Sequence, residues 1–565
     1  MMRQARDASE RLADLASEYW EERVSNDPLL ATALGDRRFD AKLPDITPEG
    51  RARWRREYDE VVRKCKAIPE AGLPPKDKLT RTALLVDAGS MSDYYSCGLE
   101  EWVVDPLQGF QNELLNLESY QRVRTVEEGR AMVERWRAIG RYVDQNIANL
   151  RAGVSAGKVA VKVAVEKVID EVDALLKKPD SDWPLLRPLG AEHPEWRRSE
   201  IREFRDGLKK SVAEFVRPGF SRYLDFLRKK LLPVARPQEK AGIMHIPGGP
   251  ETYTKLIRVH TSLDISPQEL HQTGLNEVAR INREMEALGG RVFGVSDRKE
   301  ILKRLRTDRS LYFSSRDEVA AKAETALAKA NAAIARWFGR LPKTPCEVVR
   351  MEEHEEKHST IAYYRPPAAD GSRPGRYYIN TSAPETRPRY EAEALAYHES
   401  VPGHHLQIAI AQELQGIPEF RKNSGVTAFI EGWGLYSERL AGEMGLYSAD
   451  LDRVGILSFD SWRACRLVVD TGMHALGWSR EQAIRFMLEN TALAENNIVN
   501  EVDRYITWPG QALAYKTGQL EMMKLRQAAE KRLGKGFDVR RFHDVLLGDG
   551  AVPLQVLRQM LSSYA

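Results

Sequence analysis

Apolar residues recur three and four apart over most of this chain, and that spacing restricts it to a mainly α fold. LASEYWEERV, AGKVAVKVAVEKVIDEVDALLKK, EVAAKAETALAKANAAIARWF and FDSWRACRLVVDTGMHAL all carry it, with strong helix formers in between. Such a stripe faces a core only when the segment is helical. Helix starts are legible too: Ser266-Pro267 with Glu269 sets a capping residue and a first-turn proline ahead of a long periodic run. One region breaks the pattern. Between residues 346 and 380 the β-branched and aromatic runs CEVVR, TIAYY and RYYIN are separated by PPAADGSRPG, which predicts a small β-sheet. Pro and Gly gather in RPQEKAGIMHIPGGPETY, and the boundary between an N-terminal helical half (1–240) and a second half (241–565) is expected there.

The balance of charge narrows the partners. Lys and Arg number 85 against 82 Asp and Glu, a net +3 spread along the chain, which argues against nucleic acid or a membrane surface. At 42% hydrophobic residues, 565 residues build a sizeable core. Cys65, Cys97, Cys346 and Cys465 lie far apart with no C-x-x-C pair, so neither a disulfide framework nor a thiolate zinc site is indicated. MMRQARDASERLADLASEYWEERV has charges at helical spacing and no apolar core of a signal peptide, and no apolar run is long enough to span a bilayer. A cytoplasmic protein is expected. Nothing in the sequence indicates an oligomeric state.

HEEKH, residues 354–358, matches the H-E-x-x-H pattern that binds zinc when it lies on a helix. Its surroundings are wrong for that. Glu352, Glu353, Glu356 and Lys357 leave no apolar face, and strand-forming residues follow, so a charged edge strand or hairpin rim is expected. EAEALAYHESVPGHHLQIAIAQELQG, residues 391–416, has a helical apolar pattern and carries His398, Glu399, His404 and His405. Pro402 stands where the second histidine of the pattern would fall. A proline kinks or bulges a helix, and that distortion can return His404 toward His398; on an undistorted helix His405 would share its face. Both remain candidates for the second ligand. A catalytic zinc takes three protein ligands, and Glu431 in FIEGWGLYSERLAGEMG is the candidate third, with Gly432 and Gly434 permitting a close helix approach. Glu399, directly after a ligand, is the candidate general base.

HESVPGHH, followed by EGWGLYSERLAGEMG, RLVVDTGMHALGW and EVDRYITWPGQALAYKTG, resembles the domain of unknown function 885 family of bacterial proteins. The likeness extends from LLATALGDRRFDAKLPDITPE to PGQALAYKTG, as one continuous domain over about residues 20–560. That resemblance implies kinship with the glutamate-zincin peptidases, among them the thermostable carboxypeptidases and the thimet oligopeptidase group. It also implies a large helical metallopeptidase-like fold with a deep cleft and a small β-sheet at the active-site edge. RYYIN resembles the edge strand that holds an extended peptide in such enzymes, with Tyr377, Tyr378 and Asn380 lining it. The P-G insertion departs from the peptidase pattern.

The expected protein is a zinc-dependent hydrolase with one Zn2+ per chain, acting on short peptides or amino-acid amides. Its ligands are His398, His404 (or His405) and Glu431, and its base is Glu399. Tyr515 is a candidate oxyanion donor, and Arg504 and Tyr505 are candidate substrate contacts. Each tyrosine could instead be a packed core residue, and Arg504 could instead pair with Glu501 or Asp503. His474 is either a second donor or a histidine oriented by Asp470. Two readings from other classes remain: a non-haem iron oxygenase with the same two-histidine, one-carboxylate set, and a metal-free peptide-binding protein.

Overall fold

The periodic segments become helices in the computed structural model, which describes residues 2–356, 360–368, 373–562 and 564. LASEYWEERV lies in the helix Met2–Asn26, EVAAKAETALAKANAA in Arg316–Ala333, and FDSWRACRLVVDTGMHAL at the end of the helix Asp450–Leu476. The Ser266 hydroxyl accepts the Glu269 N–H at 3.2 Å and starts the helix Pro267–Phe293. AGKVAVKVAVEKVIDEVDALLKK is helical only from Lys162, because Val161 pairs with Arg236 in an isolated β-bridge.

Helices between Met2 and Leu231 share a core around Trp54, Trp136 and Trp183, into which Phe420 inserts from far along the chain. The later helices pack around three further cores. Their spine is the helix Asp450–Leu476, buried almost continuously from Val454 to His474 and laid along Pro267–Phe293. Gly274 makes that approach possible: a Cβ there would stand 2.7 Å from Val468 Cγ2. Lys516 is fully buried, with Nζ 2.5 Å from Asp460 Oδ1 and 2.9 Å from Glu277 Oε2. It ties the helix Ala514–Leu533 to the spine.

The predicted sheet has three strands, β1 (Cys346–Arg350), β2 (Ala362–Arg365) and β3 (Gly375–Ile379), in the order β1-β3-β2. This corrects the expected role of RYYIN. β3 is the central strand, parallel to β1 and antiparallel to β2, so both its edges are committed and it has no free row for a peptide. Tyr377 and Ile379 turn to the buried face, and Tyr378 stacks on Tyr363 with ring centroids 4.9 Å apart. HEEKH is not a strand or hairpin rim in its described part. Glu353–Glu356 forms one helical turn between β1 and β2, and His358 lies outside the described residues. Glu356 is drawn inward because its carboxylate accepts from Thr381 N at 3.0 Å and from Arg316 Nη2 at 2.7 Å.

Candidate metal centre

HESVPGHH does not bend one helix; it splits two. The first helix, Ala392–Glu399, ends at Glu399, residues 400–403 form a break that contains the cis Val401–Pro402 peptide, and a new helix, His404–Gln412, begins. Proline supplies no N–H to continue the ladder. Gly403 is required there, since a Cβ would lie 1.9 Å from the His398 carbonyl oxygen. The carbonyls freed by the break find donors on the neighbouring helix Thr427–Glu443: Trp433 Nε1 donates to Pro402 O at 3.0 Å and Gly403 O at 3.2 Å, and Ser437 Oγ to Pro402 O at 3.3 Å.

The break turns the second helix so that His404, its first residue, faces His398, with ring centroids 4.6 Å apart and planes at 86°. Glu431 approaches both: its Oε2 is 3.6 Å from His398 Nε2 and 3.7 Å from His404 Nε2. One ligand atom from each of these three residues lies within 4.8 Å of the others, and they form the metal-competent group found among the described residues. His405 turns the other way, to the sheet, where its Nδ1 meets the Tyr364 hydroxyl at 3.0 Å and its Nε2 the Thr344 carbonyl at 3.1 Å. Of the two candidate second ligands the geometry brings His404, and not His405, to the site. Gly434 completes the approach, because a Cβ there would stand 2.6 Å from His398 Cε1.

The donor set fits a divalent ion. His398 Nδ1 is 2.8 Å from Glu438 Oε1, which fixes that nitrogen as the donor and leaves Nε2 toward Glu431. His404 Nδ1 is buried with no hydrogen-bond partner among the described residues. Burial, with His398 beside it, pulls His404 down to about 4, so it carries a free lone pair at neutral pH. Burial disfavours charge on Glu431 too, but the two imidazoles outweigh it and hold its carboxyl down at about 2. For His398, burial is likewise outweighed by the Glu431 and Glu438 carboxylates, which raise it to about 9.

Glu399 is partly exposed and its carboxylate makes no hydrogen bond among the described residues; burial, and after it the Glu431 charge working against His398, pushes it up to about 7. Tyr515 stands close enough to Glu431 for that carboxylate, after burial, to raise its hydroxyl above the ordinary value. Tyr377 is buried at 2% exposure, with its phenol under the influence of Glu399. It packs beneath the site instead of lining a peptide groove.

Three other expectations are corrected. Tyr505 is fully buried and saturated: its hydroxyl donates to Glu501 Oε2 at 2.5 Å and accepts from Arg466 Nε at 2.8 Å and Trp462 Nε1 at 3.0 Å. It has no capacity left for a substrate. Arg504 is held by Glu501 at 3.0 Å and Gln511 at 2.8 Å, the internal salt bridge that was the alternative reading. His474 is a clasp, accepting Ile243 N–H at 3.1 Å through Nδ1 and donating Nε2–H to Tyr505 O at 3.0 Å; Asp470 binds Tyr253 and Gly510 instead. Arg463 and Arg466 are not among the site residues expected from the sequence. Both sit within RACRLVV, whose periodicity reads as core, and the only signal was a pair of charges one helical turn apart on an apolar face.

Residues 28–561 match the family described as bacterial protein of unknown function (DUF885), and the chain belongs to that family. Among curated proteins none matches it. The fold is similar to that of a protein of Colwellia psychrerythraea described as a "putative lipoprotein", with TM-score 0.90 and 28% identity over 99% of each chain. It is also similar to a "putative lipoprotein of unknown function" of Shewanella oneidensis, with TM-score 0.77 and 17% identity over 98% of this chain and 100% of the other.

Proposed function

We propose that this protein is a zinc-dependent hydrolase of the glutamate-zincin kind, a peptidase acting on short peptides or amino-acid amides. The observation that carries the reading is the convergence of His398, His404 and Glu431 beside a Glu399 carboxylate that makes no hydrogen bond or close ion pair among the described residues. These three side chains would hold one zinc ion, which when bound supplies a Lewis acid able to bring the pKa of water from 15.7 to about 7. Glu399 takes the proton of the attacking water at its carboxylate and delivers it to the leaving nitrogen. Tyr515, kept protonated by burial and Glu431, donates its hydroxyl to the developing oxyanion. Glu438 fixes the ring and tautomer of His398.

Two histidines and a carboxylate also serve iron oxygenases, but a free carboxylate next to a ligand has work in hydrolysis and none in oxygen activation. The description of the Colwellia relative as a lipoprotein supports an exported or lipid-anchored setting in place of the cytoplasmic one expected above. No helix among the described residues is long and apolar enough to cross a membrane. A synthetic peptide library digested by the zinc-loaded protein and analysed by mass spectrometry tests the activity. Cleavage abolished by chelator and restored by zinc is expected. Absence of cleavage, or oxygen-dependent turnover restored only by Fe(II), overturns it.

A further inference from the structure

Arg463 is a buried guanidinium that no described residue meets in a hydrogen bond or a close ion pair. It projects from the spine helix Asp450–Leu476, which packs against the helices carrying His398, Glu431 and Tyr515. At 7% exposure it makes no ion pair among the described residues, and its Nε and Nη1 are buried with no hydrogen-bond partner. Its guanidinium is held over Trp462 and Phe459, 4.2 and 4.6 Å from their ring centroids, so its direction is set by packing. The Glu438 and Glu431 carboxylates act on its charge, and its charge in turn acts on Glu399 and His404, so it shares its surroundings with the metal group. One turn on, Arg466 gives Nε to Tyr505 and Nη2 to Glu501 but leaves Nη1 buried and unpaired, and its guanidinium lies 4.3 Å from the centre of the Tyr515 ring. Buried donors are almost always satisfied, by ligand where not by protein.

We propose that Arg463, with the free Nη1 of Arg466, binds the C-terminal carboxylate of the substrate, so that the protein removes residues from the ends of peptides. The inference rests on the peptidase reading above. When the last peptide bond is cut, the terminal carboxylate is only three bonds from the carbonyl carbon under attack, so its receptor must stand near the metal ligands, among whose charges Arg463 sits. A planar guanidinium matches a carboxylate in two parallel hydrogen bonds. The nearby acids Glu399 and Glu431 favour an anion of single charge over a phosphate dianion. Arg504, which the sequence offered for this task, is already used by Glu501 and Gln511. The reaction adds water across the last C–N bond: the hydroxyl oxygen goes to the carbonyl carbon, the proton passes through Glu399 to the nitrogen, and a free amino acid leaves.

The test uses N-acetylated tripeptides randomised at the last residue, prepared as free acids and as C-terminal amides. Their binding to the full-length Glu399→Gln protein is measured by equilibrium dialysis and mass spectrometry, with and without zinc. Free acids should bind about 10-fold or more tighter than amides, on the scale of a charge-assisted pair. Arg463→Gln and Arg463→Ala should erase that ratio, Arg463→Lys should restore part of it, and zinc stoichiometry should stay at the parent value. Because the acid-to-amide ratio is internal to each variant, a partly unfolded preparation does not imitate the result. Equal binding of acids and amides, no binding of either, or a preference that survives Arg463→Gln overturns the assignment. Digestion by the parent separates the two claims. Zinc-dependent cleavage indifferent to the C-terminus would sink the carboxylate site and spare the peptidase; Arg463-dependent binding of acids without cleavage would do the reverse.

Discussion

His404 and His405 are neighbours in sequence with opposite surroundings, one at the metal group and one under the sheet. The break at residues 400–403 separates them, and its rotation depends on where Trp433 and Ser437 find the freed carbonyls, a contact between distant residues. That is why the sequence left the pair open. The structure predicts that His405→Ala keeps zinc but lowers stability by about 1–3 kcal/mol, since it strands the Tyr364 hydroxyl and the Thr344 carbonyl. Urea denaturation of the metal-free protein measures it, and wild-type stability would contradict the assignment. For Glu399→Gln the proposed mechanism predicts parent-like zinc binding with kcat lower by about 10² to 10⁴-fold and KM little changed. Steady-state kinetics on a substrate from the library digest decides, and undiminished kcat removes Glu399 from the chemistry. The residues of HESVPGHH were visible because histidine and glutamate are rare together on an apolar helix. Arg463 was not, because nothing local distinguishes a buried arginine with a task from one on a wet face.

At the level of elements, helices were legible from period alone and strand order was not. CEVVR, TIAYY and RYYIN are all strand-forming, but which lies in the middle follows from pairing β3 with β1 across a long connection. The close approach of helices was foreshadowed by Gly432 and Gly434, and each now has a specific partner. A Cβ on Gly432 would meet the Gly518 backbone at 2.6 Å, and one on Gly434 would meet the His398 imidazole. Gly432→Ala therefore forces apart the helices Thr427–Glu443 and Ala514–Leu533, with an expected loss of about 1–3 kcal/mol on denaturation. Gly434→Ala displaces a proposed ligand without altering any donor. Zinc titration should show weaker binding by about 10 to 100-fold, the scale at which supporting residues act; unchanged affinity would mean that His398 has room the structure does not give it.

Over the whole molecule, buried neutral histidines couple the fold to pH. His543 is fully buried, donating Nδ1–H to Trp337 O at 2.9 Å and accepting the Tyr436 hydroxyl through Nε2 at 2.8 Å. Burial pulls it down from 6.5 to about 3. The unfolded chain thus takes up a proton on this ring below the ordinary value while the folded protein does not until near 3. Its contribution is full above pH 6.5 and is lost as pH falls toward 3, at up to about 1.4 kcal/mol per unit. His543→Gln cannot titrate, so the margin of parent over variant should shrink by about 1 kcal/mol between pH 7 and pH 5.5 in urea denaturation. A margin independent of pH would show that the ring is not held neutral. Other buried groups of both signs contribute to the total slope, and the parent–variant difference cancels them.

Beneath these predictions lies one claim, that His398, His404 and Glu431 hold a single metal ion. Zinc titration of the metal-stripped parent beside the His398→Ala, His404→Ala, Glu431→Ala and His405→Ala proteins tests it most directly. One zinc per parent chain is expected, with binding reduced by at least about 100-fold in each of the first three variants and His405→Ala remaining within about 10-fold of the parent. A parent that binds no zinc, or a larger loss for His405→Ala than for His404→Ala, would contradict it.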